Sequence, residues 1–225
     1  MQALDPQHFT ERSPLYRKHA GACFGQLGDS AIVTSYGGDE TAQAERCGLV
    51  DLTNLARVGF RGAEAAAWLE RCGFSLPSAP NRVVTQADGS HVARLSQTEY
   101  LLLGSLTDAG KRVARAEADW TFGTSAVYLL PRQDSHAWLL QTGAHVAEVM
   151  AKLCGVDLRA EAFARGAVAQ TSAARINVLV LNTGSCALPG FHILCDRASA
   201  SYLWDALLDA MAEFGGKPVG MDALA

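Results

Sequence analysis

Two stretches of this chain follow one plan. VGFRGAEAAAWLERCG, from Val58 to Gly73, and WLLQTGAHVAEVMAKLCG, from Trp138 to Gly155, each read strand, glycine, alanine-rich helix, then Cys-Gly. They lie roughly 80 residues apart, too far for a stacked solenoid. The echo instead predicts two similar halves containing βα units, joined near Trp120 to Ser125. With 225 residues the chain can bury a substantial core, as one large domain or two small ones.

Further helices are expected around the echo. The segment from Asp39 to Gly48 starts acidic and ends on glycine, which suits the helix dipole and the C-cap. TDAGKRVARAEA starts at Thr107, read as an N-cap, and the final helix aligns Leu203, Leu207, Met211 and Phe214 on one stripe. Short apolar runs predict strands at Ala31–Ser35, Arg57–Arg61, Tyr100–Gly104, Ala126–Leu130, Ala137–Gln141, Ile176–Asn182 and Phe191–Cys195. Asp88-Gly89 separates two more, Arg82–Gln86 and His91–Leu95, and reads as a hairpin turn. Irregular alternation of this kind predicts an α+β fold with mostly antiparallel sheets.

The net charge of −4 offers nucleic acid no basic footprint. The polar start, MQALDPQHFTERSPLYRKH, has no secretory apolar core, and no apolar run nears the roughly 20 residues that span a bilayer. A cytoplasmic protein off the membrane is expected. Six cysteines without a CxxC pair are expected to be free and mostly buried, and the six histidines lack ligand spacing for a metal.

General catalytic motifs are missing: no GxGxxG, GxxxxGK[ST], GxSxG or HExxH occurs. NTGSCALPGFHI, Asn182 to Ile193, looks like a binding loop between strands. Its Cys186 has no histidine or aspartate placed beside it by sequence, so a free thiol without a role is the reading. His91 and His192 fall on strands and read as hydrogen-bonded structural histidines, while Asp51 reads as a cap.

In order along the chain, several segments resemble the aminomethyltransferases, the T-protein family of glycine cleavage. Ser13-Pro-Leu-Tyr16 and AERCGLVDLTNLARVGFRGAEAAAWL, Ala44 to Leu69, resemble that family's opening. AWLLQTGAHVAEVMAKL resembles its Gln-Gly-Pro segment and helix, and YLWDALLDAMAEFGGKPVGMDAL its closing helix and exit. LPSAPNR, Leu76 to Arg82, with the following LSQTEYLLLG, is most similar to sarcosine oxidase gamma subunits, a shorter branch. The resemblance implies an aminomethyltransferase folate-binding-like domain over residues 1–225. Its two ferredoxin-like halves would span roughly 1–120 and 121–225. The family's C-terminal barrel is expected to be absent, since Ala225 falls about where it would begin.

Family enzymes tend to carry RTGYTGEDGFEI where this chain has NTGSCALPGFHI. Thr183, Gly184, Gly190, Phe191 and Ile193 keep the frame, but Ser185 replaces the tyrosine and Leu188 the pterin-holding glutamate. The family's Gly-Gly-Val-Ile-Asp-Asp segment is also lost. DGSHVARLSQTEY has no carboxylate between Asp88 and Glu99, and Arg94 lies near the missing acid. A guanidinium accepts no proton, so it cannot replace a catalytic carboxylate.

The reading is a non-catalytic gamma-type subunit of a heterotetrameric sarcosine-oxidase-like complex. No catalytic or metal residue is assigned, and the partners are larger flavoprotein subunits or a second copy. The alternative is a folate-dependent aminomethyltransferase-like enzyme with altered ligands. Tetrahydrofolate would then sit in a cleft lined by Asn54, Leu55, Arg94 and Asn182, positions that match or neighbour the family pocket. On the subunit reading, apolar surface near Trp204, Leu208 and Lys217–Met221 would dock the partner.

Overall fold

The computed structural model describes residues 4–224. Its first elements are β1 (Cys23–Leu27), β2 (Ser30–Ser35), α1 (Glu40–Cys47) and β3 (Gly48–Asp51). There follow β4 (Arg57–Arg61), α2 (Ala65–Arg71), β5 (Arg82–Thr85), β6 (His91–Arg94), β7 (Glu99–Leu103) and α3 (Lys111–Ala118). The rest comprises β8 (Tyr128–Pro131), β9 (His136–Thr142), α4 (Val146–Ala151), β10 (Val168–Ala173), β11 (Ile176–Asn182), β12 (Gly190–Asp196), α5 (Ala200–Met211) and β13 (Lys217–Pro218).

One sheet has the order β5-β6-β7-β4-β8. The run β4-α2-β6-β7-α3-β8 is a ferredoxin-like βαββαβ unit, with β5 added as a hairpin partner of β6. The larger sheet has the order β10-β11-β12-β9-β3-β13, and β9-α4-β11-β12-α5 repeats the plan with β10 as its added edge. The place beside β9 belongs to β3, which pairs with it antiparallel. An early segment thus completes the second sheet, while β8, beyond the Trp120–Ser125 linker, completes the first. Among the described residues no closed barrel forms.

The sequence echo is the first βα step of each unit. Gly62 and Gly143 turn β4 into α2 and β9 into α4 with φ of +142° and +103°. A Cβ on Gly62 would lie 2.0 Å from the Ala126 carbonyl oxygen, and one on Gly143 would lie 2.4 Å from the Arg46 carbonyl carbon. Only glycine fits such backbone-to-backbone approaches.

Strand alternation sorts side chains into three layers. On β12, Phe191, Ile193 and Cys195 pack with Val149, Leu203 and Leu207 of α4 and α5. On β6, Val92 joins Ala65, Leu69 and Val113 of α2 and α3. The opposite faces, with Ala93 and Leu95 from one sheet and Trp138, Leu181 and Leu194 from the other, form a shared core between the sheets. The sheets also meet edge to edge, where Val83 N–H donates to Gly166 and Val168 N–H to Asn81.

Several expectations need correction. Helix α3 begins at Lys111 after Gly110 in the left-handed region (φ +74°), so Thr107 is not its N-cap. Trp204 is 2% exposed and stacks edge-on to His19 at 5.1 Å, and Val219 is 1% exposed. Trp204 and Val219 therefore belong to the interior and not to a docking surface, Trp204 being covered by the N-terminal segment that carries His19, while Leu208 and Met221 are partly buried. The cysteines are free, but Cys23, Cys72 and Cys186 are exposed, so burial is not the rule. Strands β1, β3, β10 and β13 had no sequence signal strong enough to anticipate them.

Candidate functional site

Between the sheets lies a cavity of about 180 Å³. Leu52, Leu55, Leu106, Leu140 and Trp138 form its apolar walls, and His91, His192 and Ser105 supply its polar atoms. His192 comes from β12 and His91 from β6, so each sheet contributes one imidazole. Their ring centroids are 5.0 Å apart. The Trp138 indole N–H donates to His192 Nδ1 at 2.9 Å, and Thr85 Oγ1 lies 3.1 Å from His91 Nδ1.

Burial first, then the neighbouring Arg165 guanidinium, push His91 down to about 4. Burial and the nearby His91 hold His192 well below the ordinary histidine range. Both rings are therefore neutral at pH 7. Among the described residues no aspartate, glutamate, lysine or arginine lines the cavity.

The sequence-assigned residues do not converge there. Leu55 does line the cavity, at 1% exposure. Asn54 turns away and donates to the Ala31 carbonyl at 2.6 Å, tying the β3–β4 turn to β2. Asn182 donates to the Phe163 carbonyl at 2.7 Å and lines a separate, mostly apolar surface hollow beside Cys186. Arg94 points to the opposite face of β6 from Ala93. Its guanidinium donates to the Ser78 and Gln97 carbonyls at 3.1 and 3.0 Å and lies 5.6 Å from the Tyr100 ring. It fastens two loops, while Ala93 faces the shared core.

The loop at 182–190 keeps a tight frame. A Cβ on Gly184 would come within 2.2 Å of Gly190 N, and Ser185 and Leu188 close a turn through N–H to carbonyl and N–H to Oγ bonds of 3.0 and 2.9 Å. Leu188 is partly buried and packs against the inter-sheet core.

Two polar hubs lie outside the cavity; Asp51 caps the turn after β3, as its sequence position suggests, but also gathers partners from far along the chain. Buried Asp51 accepts from Ser13 Oγ, from Thr53 N–H at 2.9 Å and from His19 Nε2 at 3.0 Å. The other His19 nitrogen meets the Tyr36 hydroxyl at 2.6 Å. Burial raises the Asp51 carboxyl, but the bonds from His19, Ser13 and Thr53 outweigh it and hold the group below the usual carboxylate range. Arg57 is fully buried on β4, and its guanidinium donates to the carbonyls of Thr53, Leu55, Gln133 and His136. Desolvation lowers it to about 10. The sequence signalled the Asp51 cap, but neither its distant partners Ser13 and His19 nor the burial of Arg57.

Residues 14–225 match the GCVT N-terminal domain family. The aminomethyltransferase of Saccharopolyspora erythraea is 25% identical over 93% of this chain and 60% of its own length. The sarcosine oxidase subunit gamma of Corynebacterium sp. (strain P-1) is 29% identical over 79% of this chain and 88% of its own. Among solved structures, a chain of the heterotetrameric sarcosine oxidase from Corynebacterium sp. U-96, in complex with pyrrole 2-carboxylate, aligns with a TM-score of 0.65. That alignment is 24% identical and covers 92% of this chain and 97% of the other. The Bartonella henselae aminomethyltransferase aligns at a TM-score of 0.70, 18% identical, over 95% of this chain and 60% of the other. The chain spans between 49% and 60% of the first aminomethyltransferases it matches. Two ferredoxin-like units, strand-exchanged and packed face to face, together with the match from residue 14 onward, make this chain a member of the GCVT N-terminal domain family.

Proposed function

We propose that this chain is a non-catalytic, gamma-type subunit of a sarcosine-oxidase-like complex, with larger flavoprotein subunits as partners. The observation that carries the reading is the inter-sheet cavity. Among the described residues its lining has no carboxylate side chain, and Leu188, against the same core, stands where the resemblance implies the pterin-holding glutamate.

The tetrahydrofolate implied by the resemblance does not fit these residues. A pterin edge presents paired N–H donors, and a carboxylate is the acceptor that matches them. Here the cavity offers neutral imidazoles and leucines, and its volume of about 180 Å³ is small for two fused rings bearing a tail. Each pterin donor buried without an acceptor would cost about 1–3 kcal/mol. The near full-length likeness to a sarcosine oxidase gamma subunit supports the subunit reading further.

Titration of the purified chain with tetrahydrofolate tests this. No saturable binding and no folate-dependent aminomethyl transfer are expected. Micromolar affinity or turnover would overturn the reading in favour of an enzyme with altered ligands.

A further inference from the structure

His192 is 6% exposed, and among the described residues its ring makes one hydrogen bond, accepted from the Trp138 indole. Its Nδ1 faces the Trp138 indole, which can only donate, so Nδ1 must carry the lone pair. A neutral ring then has its proton on Nε2. Among the described residues this Nε2–H makes no hydrogen bond, and the ring forms part of the cavity wall. The contents of the cavity, water or a ligand, are left to accept from this donor.

The rest of the wall defines that occupant. Leucines and an indole line the cavity with it, and among the described residues the lining has no charged side chain to offset an ion. Burial keeps both imidazoles uncharged near neutral pH, helped by Arg165 at His91 and by His91 at His192, so neither ring offers an anion a positive charge. The volume of about 180 Å³ slightly exceeds that of an engineered protein cavity, about 150 Å³, that takes up benzene. One ring fits.

We propose that the cavity between β6, β9 and β12 binds a neutral, single-ring ligand whose ring nitrogen or carbonyl oxygen accepts a hydrogen bond from His192 Nε2–H. The Trp138–His192 bond fixes the donor's direction before the ligand arrives. Ser105, whose Oγ accepts the Thr107 N–H at 3.1 Å, adds a second polar atom to the lining. This inference rests on the reading that the crevice does not hold tetrahydrofolate.

Pyridine, which only accepts, is the probe. Benzene lacks the acceptor and pyrrole offers only a donor. Proton–nitrogen NMR of the full chain at pH 7.5, following the histidine ring and Trp138 indole signals, reads binding at the site. Pyridine should bind about tenfold or more tightly than either control and shift the His192 Nε2 and Trp138 Nε1 signals. His192→Phe should erase the preference. Leu106→Trp, which adds bulk to the cavity lining without touching the His192–Trp138 bond, should abolish pyridine binding while the tautomer signals persist. Equal affinity for pyridine and benzene, stronger binding of pyrrole, or shifts confined to other residues would overturn the inference. Tetrahydrofolate added to a parallel sample separates the two ideas. Folate-induced shifts overturn the subunit reading, whereas silent folate with unselective pyridine overturns the inference alone.

Discussion

Trp138 on β9 donates its indole N–H to His192 on β12, across the centre of the larger sheet and on its inward face. The bond spans 54 positions of sequence and joins strands that pair in the order β12-β9. Replacing His192 by phenylalanine leaves that N–H buried without an acceptor. Urea unfolding should show a loss of about 1–3 kcal/mol, and adding Trp138→Phe should recover part of it. A neutral His192→Phe, or a double variant worse than the sum of the singles, would contradict this role.

Acid should destabilise the fold well before its carboxylates titrate. His91 and His136 are held down to about 4, each first by burial and then by nearby arginine, and buried His192 is also depressed. A base whose folded value is lowered binds its proton more readily when unfolded. Its contribution is therefore complete above the unfolded value of about 6.5 and is lost as pH falls from there toward the folded value. Unfolding free energies from urea titrations should fall between pH 7.5 and pH 4.5 by on the order of 5 kcal/mol, roughly half from each of His91 and His136. A flat profile over that window would show that these rings are not neutral in the fold.

Asp51→Asn should loosen the N-terminal segment first. The carboxylate gathers Ser13, His19 and Thr53, and His19 in turn holds Tyr36 at the end of β2. Amide replaces a group that accepts from three donors, at a cost of about 2–4 kcal/mol. Hydrogen exchange should rise around residues 13–36 before it rises in β9 or β12. Uniform exchange across both regions would place the hub elsewhere.

Arg57 joins the turn after β3 to the loop before β9 through four carbonyls. Lysine keeps the charge but lacks the planar fork that reaches both loops. Arg57→Lys and Arg57→Met are both expected to cost about 2 kcal/mol or more in urea midpoint experiments, since each orphans buried carbonyls. Full retention of stability by the lysine variant would show that charge alone suffices.

The parts of this fold written locally were legible in the sequence. The two βα steps announced themselves because each needs strand, glycine and alanine-rich helix in succession, and Gly62 and Gly143 are held by their contacts. Strand β3 was hidden because its four buried residues gain their partners from β9, about ninety positions later. Helix α3 was placed early because a left-handed Gly110, not a side-chain cap, starts it.

The site was less legible for a reason of parity. Arg94 and Ala93 are neighbours in sequence but face opposite sides of β6, so proximity to a lost acid said nothing about reaching the cavity. His192 was rightly read as a hydrogen-bonded strand histidine. Its meeting with His91 depended on how two sheets pack, which no local pattern encodes.

On the proposed reading, the chain works as part of a larger flavoprotein assembly and not as a folate enzyme by itself. Affinity purification of the tagged chain from its native cells, followed by native mass spectrometry and a flavin absorbance spectrum, tests it most directly. The account predicts a stoichiometric complex with larger, flavin-bearing subunits. Recovery of the chain alone, without flavin and with tetrahydrofolate-dependent aminomethyl transfer, would contradict it.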